Sequence, residues 1–102
     1  MASFRFTDSA ERDLENIVDY TVENWGHEQA RKYIDGLVDF AGSLAENPDI
    51  GVNRDSLFEG FISFPYECHV LYYIKDSEGI VIMRVLHGSM DIKRHLATVI
   101  KH

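Results

Sequence analysis

Five side chains in the second half of this chain carry groups able to move protons or hold charge: Glu59, His69, Tyr73, Arg84 and His87. A base, an acid and a cation are what cleavage of an RNA strand at a 2′-hydroxyl requires. The base activates that oxygen, the acid protonates the departing 5′-oxygen, and cations offset charge gathering on phosphorus. The cation supply is thin, because between Phe61 and His87 only Lys75 and Arg84 are basic. No catalytic residue is therefore assigned, and the chain is not expected to be an enzyme.

The five histidines, His27, His69, His87, His95 and His102, form neither HxxxH nor HExxH and do not pair with cysteine at a ligand spacing. Neither a metal nor a cofactor is expected. Cys68 is the single cysteine. It excludes an intramolecular disulfide and a CxxC redox pair, and reads as a small, partly buried side chain. Arg84 interrupts the apolar run IVIMRVLH, and a charge there has to reach solvent, find a carboxylate or await a partner. Glu59 or Asp91 is the expected mate.

The elements that would position these groups follow from periodicity. Ser3 to Phe6 alternates with period two and predicts a strand. Thr7 or Asp8 then caps a helix, with Asp8 and Glu11 at capping-box spacing, and Ala10, Leu14, Ile17, Val18, Thr21 and Trp25 form its buried stripe. That stripe places Trp25 in core or hairpin packing. Glu11, Asp13, Glu15, Asp19 and Glu23 read as a solvated acidic face, the alternative being a dock for a basic partner. Gly26 ends the helix, and a second follows with Ala30, Tyr33, Ile34, Leu37, Val38, Ala41, Leu44 and Ala45 on one face. Pro48 stops it and residues 48–60 read as loop. FISF, CHVLYYIK and IVIMRVLH then predict three strands, with a hairpin turn from Asp76 to Gly79.

In the middle strand of the three, Val70, Tyr72 and Ile74 alternate with His69, Leu71 and Tyr73. One sheet face should meet the helices and the other should be half covered, a candidate binding surface. Gly88 permits a tight turn, and Asp91 to Ile100 is a candidate tail helix. The expected fold is α+β and two-layered: an N-terminal strand, a helical hairpin, a three-stranded antiparallel meander completing the sheet, and a short C-terminal tail helix. One domain over residues 1–102 is expected.

Charge is unevenly spread. Residues 1–51 hold 11 acids against 4 bases, a balance of −7, while residues 52–102 hold 6 of each. A protein that grips a nucleic-acid backbone has to neutralise several phosphates, so direct nucleic-acid binding is not expected. The first residues, MASFRFTDSAERD, lack the apolar run of a signal peptide, and no stretch is long and apolar enough to span a membrane. A cytoplasmic location is expected.

Set in this order, five phrases resemble ParE-type toxins of the RelE/ParE toxin–antitoxin superfamily: FTDSAERDLENIVDYTVENWG (6–26), LAENPDIG (44–51), SFP (63–65), HVLYYI (69–74) and RVLHGSMD (84–91). The resemblance implies the toxin of a type II system involved in plasmid or chromosomal stabilisation. It implies inhibition of DNA gyrase, and so of replication, by protein binding. It further implies a hetero-oligomer with a cognate ParD-like antitoxin whose C-terminal segment wraps the toxin. RelE-like members of the superfamily cut messenger RNA on the ribosome, and the fold is shared, so an endoribonuclease stays open as an alternative, as does a non-toxic interaction module. Candidate target contacts are His69, Tyr73, Arg84, His87, Met90, Lys93 and Arg94. Candidate antitoxin contacts are Tyr20, Trp25, Tyr33, Arg31 and Leu71.

Overall fold

A computed structural model of the chain describes residues 2–88. Strand β1 (Ser3–Phe6) leads into helix α1 (Asp8–Trp25), which turns directly into α2 (His27–Glu46). A 3-10 turn (Pro48–Ile50) and a two-residue strand β2 (Val52–Asn53) precede β3 (Ile62–Tyr66), β4 (His69–Lys75) and β5 (Gly79–His87). The strands form one sheet in the order β1-β5-β4-β3-β2. The meander β3-β4-β5 is antiparallel, and β1 adds parallel to β5 at one edge, with Ser3 opposite Gly79 and Phe6 opposite Ile82. This is the α+β order expected. Met90, Lys93, Arg94 and the tail helix from Asp91 to Ile100 lie outside the described residues.

Capping differs in detail from expectation. Thr7 is the N-cap of α1 and Asp8 is its first residue. The Thr7 hydroxyl accepts from the Ala10 amide at 3.1 Å and donates to the Met83 carbonyl at 2.9 Å. One side chain thus caps the helix, a contribution of about 1 kcal/mol, and ties it to β5. Gly26, at φ 91°, ends α1 and starts α2 in a single residue, a backbone conformation that side chains with a Cβ rarely adopt. Residues 48–60 are not wholly loop. Val52 and Asn53 pair with Ser63 and Ile62, and the Asp55 carboxylate accepts from the Gly60 amide at 2.8 Å. That bond, with the Asn53 side chain second, holds the Asp55 carboxyl below its ordinary range.

The helical pair lies across one face of the sheet. Its core joins Ala10 and Ile17 of α1 and Leu37, Ala41, Leu44 and Ala45 of α2 to Leu71, Tyr73, Ile80, Ile82 and Val85. On the opposite face Leu57 and Phe58 fold under Phe61, whose ring stacks on Tyr72 at 5.4 Å, beside Val81, Met83 and Leu86. Alternation along β4 puts His69, Leu71 and Tyr73 on the helix side and Val70, Tyr72 and Ile74 on the other. The polar groups of β4 and β5 therefore do not gather on the half-covered outer face, where partner binding was expected. Two expected contact residues are corrected outright. Leu71 and Tyr73 are both 0% exposed, and the Tyr73 hydroxyl is spent on the Pro48 carbonyl at 2.8 Å. Each presents no surface to a partner, because its strand position lies beneath the helices. No helix among the described residues is long and apolar enough to cross a membrane.

Candidate functional site: a groove between the helical hairpin and the sheet

Strand β5 outruns its neighbour. β1 pairs with it only as far as Ile82, so from Met83 onward one edge of β5 needs other partners for its backbone groups. The Thr7 hydroxyl takes the Met83 carbonyl, and the Asp13 carboxylate takes the Val85 amide at 2.9 Å. The pairing register also slips here: Tyr72 faces Arg84 and Tyr73 faces Ile82, which leaves Met83 as the extra residue of a bulge. A bulge bends its strand and re-aims side chains. Arg84 points to α1, where its Nε and Nη2 donate to the two Asp13 oxygens at 2.7 and 2.8 Å.

Both side chains of this ion pair are 10% exposed. Among the described residues the mate of Arg84 is thus Asp13 and not Glu59, Asp91 lies outside those residues, and Asp13 does not belong to the solvated acidic face. The signal for it was in the sequence, since Asp13 follows Ala10 by three residues and precedes Ile17 by four, which sets it beside the buried stripe. Glu59 is exposed in the 54–61 loop and does not line the groove.

Next to this pair the hairpin and the sheet diverge and leave a groove of about 990 Å³. α1 contributes Asn16, Tyr20, Thr21 and Trp25, α2 contributes Gln29 and Tyr33, the β3–β4 turn contributes Cys68, and the sheet contributes His69, Arg84 and His87. Three of the expected target contacts, His69, Arg84 and His87, and three of the expected antitoxin contacts, Tyr20, Trp25 and Tyr33, therefore share one surface. Arg31 is exposed on α2 outside it. Trp25 is 71% and Tyr20 66% exposed, which corrects the core placement of Trp25. Steps of four residues advance about 40° around a helix beyond a full turn. The stripe drifts off the core from buried Ile17 through half-buried Thr21 to Trp25.

His69 and His87 are cross-strand partners with rings edge to face, centroids 5.5 Å apart. The Tyr33 hydroxyl lies 2.6 Å from His69 Nδ1 and donates to the Tyr66 carbonyl at 3.3 Å. Whichever ring nitrogen of His69 carries the proton, the Tyr33 hydroxyl links the β4 histidine to the end of β3. Burial, then the neighbouring His87, pushes the His69 pKa below its ordinary value, with Asp13 opposing. Burial foremost, with Cys68 next, pushes the Tyr33 phenol well above its usual range. The Cys68 thiol is exposed, 3.4 Å from His69 Nδ1. No group of three or more His, Cys, Asp or Glu side chains suited to a metal occurs among the described residues. Chemically, the groove offers aromatic and apolar contact, imidazole nitrogens and hydrogen-bonding amides and hydroxyls. Among its described lining residues the one guanidinium, Arg84, is already matched by a carboxylate.

Comparison with known proteins places this geometry. A family described as "ParE toxin of type II toxin-antitoxin system, parDE" matches residues 4–92. The chain is 36% identical over 89 residues to Toxin ParE1 of Mycobacterium tuberculosis, covering 86% of this chain and 91% of that one. It is 33% identical over 96 residues to Toxin ParE1 of Caulobacter vibrioides, covering 94% and 99%. A solved structure titled "Chromosomal ParDE TA system from P. aeruginosa" superimposes with a TM-score of 0.72 at 26% identity, covering 85% of this chain and 96% of that one.

Proposed function

The chain belongs to the ParE toxins of type II toxin–antitoxin systems, and from that premise we propose that it acts by binding, inhibiting DNA gyrase without chemistry of its own. A ParD-like antitoxin neutralises it by covering the groove between the helical hairpin and the sheet. The observation that carries this reading is the state of Arg84. The only lysine or arginine among the described groove-lining residues gives two hydrogen bonds to Asp13, so its charge is balanced within the protein and does not await a phosphate. What the groove offers outward is Tyr20 and Trp25, large exposed rings of the kind that anchor protein interfaces.

The test is a supercoiling assay. Purified toxin added to gyrase and plasmid stops supercoiling or accumulates cleaved complex. Full supercoiling at large molar excess removes gyrase as the target. Co-expression with the product of the adjacent reading frame, followed by purification of a stable complex, tests the antitoxin.

A second reading keeps one observation in its favour. His69 and His87 stand across from each other in the groove, as an acid and a base cutting RNA would. Against it stands the matched charge of Arg84, since phosphoryl chemistry needs an uncommitted cation. Induced expression that shortens messages within codons, with no DNA-damage response, would favour the nuclease.

A further inference from the structure

We propose that Asp19 and Glu23, on the α1 rim of the groove, select its occupant: a protein segment that lays apolar side chains over Tyr20 and Trp25 and reaches the two carboxylates with lysines or arginines. This deepens the antitoxin reading above and rests on it.

One helix makes both a wall of the groove and its rim. Asn16 and Tyr20 line the groove. Asp19 follows Asn16 by three residues and Glu23 follows Tyr20 by three, a spacing that makes the members of each pair neighbours on a helix surface. Asp19 and Glu23 are exposed, as are Tyr20 and Trp25. Whatever covers the two rings therefore has these carboxylates at its edge.

The charge at that edge is not matched within the chain. Three ion pairs occur among the described residues, Arg5–Asp76, Lys75–Asp49 and Arg84–Asp13, and none involves Asp19 or Glu23. Arg12 is the only lysine or arginine in α1, about two turns from Asp19 and three from Glu23. Glu11, Glu15, Asp19 and Glu23 stand in a row at steps of four, where like charges repel and destabilise a helix. Glu23 also lies in the last turn, which holds no basic residue and whose carbonyls disfavour a negative charge. Folding draws no benefit from this row, and cations brought by a partner relieve it.

The row winds around the helix, which separates its two halves. At about 100° per residue, Glu11 and Glu15 stand about 180° and 140° from Tyr20, whereas Glu23 stands about 60° from it. Only the C-terminal half borders the groove. Carboxylates at the edge of an apolar contact attract lysine or arginine and repel aspartate or glutamate, so they act on which segment binds and how fast it arrives.

The test uses this chain with the product of the adjacent reading frame. Recovery of a complex on co-expression checks the antitoxin reading separately; no complex removes that reading and this proposal with it. Given a complex, dissociation constants and association rates are measured for the parent, for Asp19→Asn/Glu23→Gln and for Glu11→Gln/Glu15→Gln. The last removes as many charges from the same row, on the side turned from the groove. At about 0.1 M salt the Asp19→Asn/Glu23→Gln variant should bind about threefold to tenfold more weakly, mainly through slower association. At about 1 M salt its ratio to the parent should approach one, because the charges are screened. Glu11→Gln/Glu15→Gln should stay within about twofold of the parent. Urea midpoints of both variants should match or exceed the parent's, since repulsion is removed, so weaker binding is not lost folding. Parent-like or tighter binding by Asp19→Asn/Glu23→Gln overturns the proposal. Equal losses in the two variants assign the effect to net charge and overturn it too, as does a loss that salt leaves unchanged.

Discussion

Asp13 on α1 and Arg84 on β5, 71 residues apart in the chain, form a two-point ion pair sealed between helix and sheet. The same carboxylate also holds the Val85 amide. Taking either partner away leaves the other charge buried and unmatched, which typically costs about 3–5 kcal/mol. Asp13→Ala and Arg84→Ala should each lower the urea midpoint of unfolding by an amount of that order. The double variant Asp13→Leu/Arg84→Met, which buries no charge, should recover much of the loss. If the single variants unfold within about 1 kcal/mol of the parent, the pair is solvated in solution and its matched charge no longer argues for a binding surface.

Strand β1 depends on one glycine. Gly79 faces Ser3 across the parallel β1–β5 pairing, and a Cβ there would run into the Ser3 backbone, which has no flexible end to yield. Gly79→Ala should therefore destabilise the chain by about 1–3 kcal/mol. Amide exchange should show protection lost first at Ser3 to Phe6. Unchanged exchange in β1 would mean that the edge strand is held by its side chains alone.

Much of this fold was legible because its rules are local. The period-two run at Ser3 to Phe6 and the stop at Pro48 are decided by nearest neighbours, and both stand where expected. The site was only half legible. His69, Arg84, His87, Tyr20, Trp25 and Tyr33 could be picked as residue types, but their gathering into one groove depends on where the hairpin diverges from the sheet. That divergence is a property of packing, which periodicity does not report. The bulge at Met83 was equally silent, and it decides where Arg84 points. Leu71 and Tyr73 failed as contacts because alternation says which residues share a face, not which part of that face a helix covers.

His69 gives the fold itself a pH dependence whose sign is set by its environment. Its pKa in the folded chain lies below the ordinary value, burial being the main cause, so the unfolded chain binds the proton more readily. The contribution is fully present above about pH 6.5, the unfolded value, and is lost as pH falls through the lower folded value. Urea midpoints should decline on acidification from about pH 7.5 to about pH 5.5, and His69→Gln should remove part of that slope. A midpoint with the same slope in both proteins would show that His69 does not sense burial.

Trp25 separates a surface anchor from a core residue in one measurement. A buried tryptophan cut to alanine costs about 3–5 kcal/mol of stability, whereas a surface change away from caps and ion pairs stays within about 0.5 kcal/mol. Trp25 is 71% exposed, so Trp25→Ala should leave the unfolding midpoint almost unchanged. It stands beside Tyr20 on the groove wall, where truncation of an interface anchor costs about 2 kcal/mol of binding, roughly thirtyfold in affinity. The two readouts pull in opposite directions, so the variant decides between the roles. Lost stability with intact partner binding would return Trp25 to the hairpin core, and with it would go the case that this groove is where another protein docks.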